Sequence, residues 1–171
     1  MEPTPHALLA AEDVLQIAGL PLHPLVVHAV VVLTPLTVLA LLLGAFWPAA
    51  RRRLGILTPL GALAVLVLVP VTVLAGRSLA AVIGPVPAVT RHQQLGEQFL
   101  PWAIGLFVVA AGQWAWYRYG AVRLRGRSPA GARAVAIGLG VASVIVGVGA
   151  VVMLALIGDS GARAVWGGIV G

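Results

Sequence analysis

Gly19-Leu20-Pro21-Leu22-His23-Pro24-Leu25-Val26-Val27-His28 stands directly ahead of an apolar run that continues without a charge to Trp47. Proline lacks the N–H that a helix's first turn leaves unpaired, so Pro24 suits a helix start. His23 then falls at the cap position and His28 about one turn inside. The run beyond them exceeds the roughly 20 residues needed to cross a bilayer's hydrocarbon. The first span is therefore entered past two imidazoles.

Composition extends that reading to the whole chain. Hydrophobic residues make up 60% of the 171 and charged residues 9%, where a soluble domain would carry about a quarter charged. The mean hydropathy is +1.04. Such a chain has too little polar surface for water and belongs in a bilayer. With no cysteine, disulfides, iron–sulfur clusters, thiolate zinc sites and covalently attached haem are all excluded.

The spacing predicts an all-α integral membrane protein in one domain over residues 1–171, a bundle of four transmembrane helices with a short N-terminal interfacial helix. Residues about 5–18 carry apolar positions at helical intervals and no basic leader or cleavage pattern, so a surface-lying helix is expected in place of a signal peptide. The spans are expected at about 24–47, 54–74, 91–119 and 134–157. Pro35 is expected to kink the first. Thr90 and Gln93 form a capping-box pattern ahead of the third, whose far interface is marked by Trp114, Trp116, Tyr117 and Tyr119. The fourth carries small residues four apart (Ala136/Gly140, Gly138/Ala142, Ser143/Gly147), which let helices approach closely in lipid. This face is a candidate contact for a partner membrane protein or a second copy. Gly158 and Gly161 permit a tight reversal, so 158–171 is expected to be a structured C-terminal turn.

The net charge of +6 comes entirely from arginine. Eight arginines lie in the loops after the first and third spans, Arg51 to Arg53 and Arg118 to Arg133, with no acid among them. The opposite end holds Arg77, Arg91, Arg163, all five acids and all four histidines. The positive-inside rule places the arginine loops in the cytoplasm and both termini outside the cell membrane. The arginines then serve topology and lipid headgroups, and nucleic acid is not a partner.

His23, His28, Arg77, His92 and Asp159 thus share one end, where a polar pocket is expected. His28 and His92 are the leading cofactor ligands. Both lie near helix starts, where the macrodipole disfavours an imidazolium, and neutral imidazole is the form that binds metals and haem iron. Asp159, at a helix C-terminus, needs a cation nearby, and Arg77 is the expected partner, with Arg163 as the local competitor. Gly158-Asp159-Ser160-Gly161 resembles serine-nucleophile strings, but the spans and strands those folds require are missing, and no catalytic residue is assigned.

Together, Gly19-x-Pro-Leu-His-Pro-x-x-Val-His28, His92 opening the third helix, and Gly158-Asp-Ser-Gly-Ala-x-x-Val-Trp-x-Gly168 resemble the membrane family labelled domain of unknown function 2231. The resemblance covers nearly the whole chain and implies a four-helix membrane protein without naming an activity. The chain departs from the family pattern at Ala29-Val30, where Phe-Pro is usual, and at Asp159, where histidine is frequent. The second departure removes a third imidazole.

Two functions follow. In one, the protein is a non-enzymatic scaffold or accessory subunit whose polar end is held by hydrogen bonds. In the other, His28 and His92 bind haem b or a divalent metal for electron transfer, as histidines on facing helices do in bundles.

Overall fold

The computed structural model describes residues 16–17, 20–84 and 86–167. The described chain is helical apart from a two-residue antiparallel pairing of β1 (Gln16–Ile17) with β2 (Leu20–Pro21). Helices follow as α1 (Leu22–Phe46), α2 (Pro48–Leu54), α3 (Leu57–Ile83), α4 (Pro87–Glu97), α5 (Leu100–Ala115), a π-helical turn (Trp116–Gly120), α6 (Ala121–Arg127) and α7 (Pro129–Trp166). Four helical stretches among these residues are long and apolar enough to cross a membrane.

The long helices close a ring in which α1 and α5 each pack on both α3 and α7. Leu41, Ala62, Val65, Ala103, Leu106 and Ala150 fill its interior and are fully buried. Only 22–28% of each span's most apolar window is buried in the bundle. Val32, Leu36, Val67, Val108 and Ile145 point outward instead. An all-round apolar surface of this kind is solvated by lipid, and helices satisfy their own backbone groups there.

Lipid gives helices no hydrophobic reason to associate, so close approach and polar contacts hold the ring. Gln113, buried on α5, donates from Nε2 to the Leu41 carbonyl (3.4 Å) and to Ser143 Oγ on α7 (3.2 Å). Gly140, Ser143 and Gly147 are buried inside the bundle, with Gly147 against Val38 and Gly149 against Trp102. Half of the small residues expected to face a partner are thus consumed by the chain's own packing, while Ala136 and Ala142 are half-buried and Gly138 stays exposed.

Several boundaries differ from those read off the sequence, each for a local reason. The N-terminal helix expected over 5–18 does not include Gln16–Ile17, whose backbone pairs with Leu20–Pro21; the rest of that expectation lies outside the described residues. α1 begins at Leu22, so His23 lies inside the first turn and does not cap it; Pro24 is tolerated anywhere in a turn whose N–H groups have no partner. Pro35 sits inside α1 without ending it. α3 continues past Leu74 to Ile83 and stops at Gly84, whose φ of 87° favours glycine. α4 starts at Pro87, and Thr90 donates back to the Val86 carbonyl (3.2 Å) instead of capping. The break at Gln98–Phe99 reflects Pro101, which cannot donate to the carbonyl four residues back.

α7 departs furthest. It runs 38 residues from a cap at Ser128, whose Oγ accepts from Gly131 N–H (3.1 Å). At 1.5 Å per residue it is about 57 Å long, well beyond the hydrocarbon thickness of about 30 Å. The expected reversal at 158 is therefore wrong: Asp159–Trp166 stay helical, and residues 168–171 lie outside the described part. A glycine inside a helix costs only about 1 kcal/mol, and the packing of α4 against α7 at this end opposes that cost.

Candidate functional site: two histidines at one end of the bundle

The azimuth of α1 decides which histidine turns inward. Thr34, Thr37, Leu41 and Gly44 are buried. His23 lies 11 and 14 residues before the two threonines, close to whole turns of helix, and so shares their face. His28 lies four and eight residues before Val32 and Leu36, which are outward-facing.

The structure follows that arithmetic. His23 crosses from α1 to α3, where Nδ1 donates to the Thr72 carbonyl at 2.9 Å. Its ring rests on Gly76, where an added Cβ would come within 3.0 Å of it. His92 crosses from α4 to α7 in the same manner. Its Nδ1 lies 3.1 Å from the Ile157 carbonyl and 3.0 Å from Ser160 Oγ, and its ring rests on Gly161, again 3.0 Å from a notional Cβ. The two imidazoles meet edge to face, ring centres 6.1 Å apart and planes at 84°.

A carbonyl only accepts, so Nδ1 carries the proton in both rings and Nε2 is the atom that can offer a lone pair. This is the arrangement in which metal-binding histidines are found: one nitrogen held by a backbone carbonyl, the other left for the ion. Among the described residues neither Nε2 has a hydrogen-bond partner, and neither is among the buried polar atoms left without one. The same geometry removes Ser160 as a nucleophile. Its hydroxyl donates to Ile157 O (2.8 Å), it accepts from a protonated Nδ1, and it is buried. His92 cannot act as its base.

The other expected pocket members go elsewhere. His28 is exposed, and its Nδ1 is satisfied within its own helix by the Pro24 carbonyl at 2.6 Å. Arg77 does not meet Asp159. It donates from Nε and Nη2 to Glu97 Oε1 (3.0 and 2.9 Å), and Glu97 also accepts from Gln93. Asp159 takes Arg163, one turn along α7, at 2.8 Å. The helical continuation of 159–166 explains this exchange, because it puts Arg163 at the i+4 position that a carboxylate reaches without leaving its helix. The expected five-residue pocket thus reduces to His23 and His92, with Ser160 beside the second. Among the described residues no cluster of three or more His, Asp or Glu could hold a metal.

The fold and this end of it define a multi-pass membrane protein, a bundle of four spans closed by paired imidazoles. The chain belongs to a family: residues 19–171 match the model described as "Predicted membrane protein (DUF2231)". No curated protein and no solved structure matches it.

Proposed function

We propose that this protein binds a transition metal between His23 and His92, with haem iron as the form that suits the site. The observation that carries the reading is the shared tether of the two neighbouring rings, each fixed through Nδ1 to a backbone carbonyl with Nε2 unpartnered among the described residues. Two imidazoles bonded to one ion at about 2 Å place their centres at most roughly 6 Å apart, and the observed separation of 6.1 Å lies at that limit. Zinc sites take three or four protein ligands, and a third is lacking among the described residues. Haem iron needs two, because the porphyrin supplies the rest, and helical bundles are a frequent housing for it. His23 replaces His28 in this role, and His92 keeps it.

The absorption spectrum and metal content of protein purified in mild detergent test this. A Soret band lost in His23→Ala and in His92→Ala, but kept in His28→Ala, supports the site. A colourless, metal-free and fully folded sample supports the scaffold or accessory-subunit reading instead, in which the two histidines act as clamps between helices.

The arginine distribution supports an orientation with the histidine end outside the cell and the arginine loops in the cytoplasm. Single cysteines report it: Asp159→Cys should label from outside intact cells and Arg125→Cys should not. Reversed labelling overturns the orientation and leaves the metal reading standing.

A further inference from the structure

At the end opposite the histidines, the last turn of α1, α2, the start of α3 and the π-helical turn enclose a cavity of ≈ 230 Å³. Its lining includes Arg51, Arg52, Arg118, Gln113, Thr58 and Tyr117, and no carboxylate. Pockets for drug-sized molecules start at about 300 Å³, so this one is sized for a headgroup.

Arg51 is fixed in place. Its Nε donates to the Gly44 carbonyl (2.5 Å) and its Nη2 to Ala45 (2.7 Å), which satisfies the open end of α1. The guanidinium carbon lies 3.4 Å from the centre of the Tyr117 ring. Among the described residues Nη1 has no partner. Burial holds this guanidinium below its usual pKa, with Tyr117 opposing the effect and Arg125 adding to it. Gly55, with φ of 45°, ends α2 and lines the cavity. Arg52 and Arg118 are exposed there, and neither has a carboxylate partner among the described residues. Trp114 and Tyr117 belong to the aromatic belt that sits at headgroup level.

We infer that this cavity binds a phosphate-bearing anion, with Arg51 as the preset donor and Arg52 and Arg118 closing over it. Guanidinium is the side chain suited to phosphate. Basic pockets between spans on the cytoplasmic side take anionic headgroups, and free phosphate offers the same chemistry.

Native mass spectrometry of the full chain tests the site, with added phosphatidylglycerol, phosphatidylcholine or inorganic phosphate. Phosphatidylglycerol should be retained one per chain in preference to phosphatidylcholine, and Arg52→Gln/Arg118→Gln should weaken it at least about tenfold. That pair avoids Arg51, which also holds the fold. If the double variant instead weakens binding of inorganic phosphate and the two lipids bind alike, the site stands and free phosphate is its ligand. Arg53→Gln/Arg123→Gln removes the same charge from outside the cavity and should leave retention unchanged. Equal loss in both double variants, or no loss in either, overturns the site.

Discussion

His23 on α3 and His92 on α7 are seated on the same local plan. A carbonyl accepts at position i (Thr72, Ile157), a small buried residue stands at i+3 (Ala75, Ser160), and a glycine floors the ring at i+4 (Gly76, Gly161). The seats differ at i+3, where a methyl in one is a hydroxyl in the other. What they share is therefore the part that positions an imidazole, a carbonyl one turn from a glycine on a neighbouring helix. The hydroxyl adds a second acceptor to His92, and among the described residues nothing equivalent reaches His23.

The largest effect should come from filling the floors. At both glycines an added Cβ would sit 3.0 Å from the ring, so Gly76→Leu and Gly161→Leu must displace an imidazole. Overpacking of this kind costs about 1–3 kcal/mol, partly offset by the roughly 1 kcal/mol that replacing a helical glycine returns. Thermal unfolding in detergent should show comparable losses for both. A loss confined to one seat breaks the equivalence.

Much of this was legible beforehand. Four spans follow from hydropathy because a charge-free run has few other uses. The choice between His23 and His28 was legible too, since Thr34, Thr37 and Gly44 mark the inner face of α1 and counting back from them selects His23. Reading depth instead of azimuth selects His28. The start of α7 was signalled by Ser128-Pro129, a cap followed by proline at the first helical position, but a hydropathy window discards polar helix ends. Glu97 as the partner of Arg77 was not legible. It depends on how far α3 and α4 project beyond the bilayer, which no local pattern encodes. Nor was the seat of Arg51, because the carbonyls it reaches become available only when α1 ends at Phe46.

The i+3 position sharpens the comparison at smaller cost. Ser160→Ala removes one acceptor from His92 while the Ile157 carbonyl remains, so the loss should be about 1 kcal/mol, that of a single net hydrogen bond. In the other seat, Ala75→Ser supplies a hydroxyl that can donate to its own helix, as Ser160 does to Ile157, and should fall within about 0.5 kcal/mol of the parent. Unfolding midpoints of the two variants and of their combination decide. A loss of 3 kcal/mol or more for Ser160→Ala would mean that the hydroxyl, and not the carbonyl, holds His92.

The smallest effect belongs to the ion pairs that flank the seats. Asp159 and Arg163 share one face of α7 a single turn apart, with side chains 59% and 75% exposed. Arg163 holds the carboxyl of Asp159 below its usual range. At that exposure, water and salt screen the attraction and the long side chains lose entropy on pairing. Asp159→Asn should therefore leave the unfolding midpoint and the His92 seat unchanged. Arg77 with Glu97 is also exposed, but it joins α3 to α4, which carries His92 onto α7. Glu97→Gln should loosen α4 locally, seen as faster amide exchange over 87–97 with no change in α7. If Asp159→Asn moved the midpoint more than Glu97→Gln, the carboxylate would be meeting a partner other than Arg163, and the pocket expected from the sequence would return as the better description of this end.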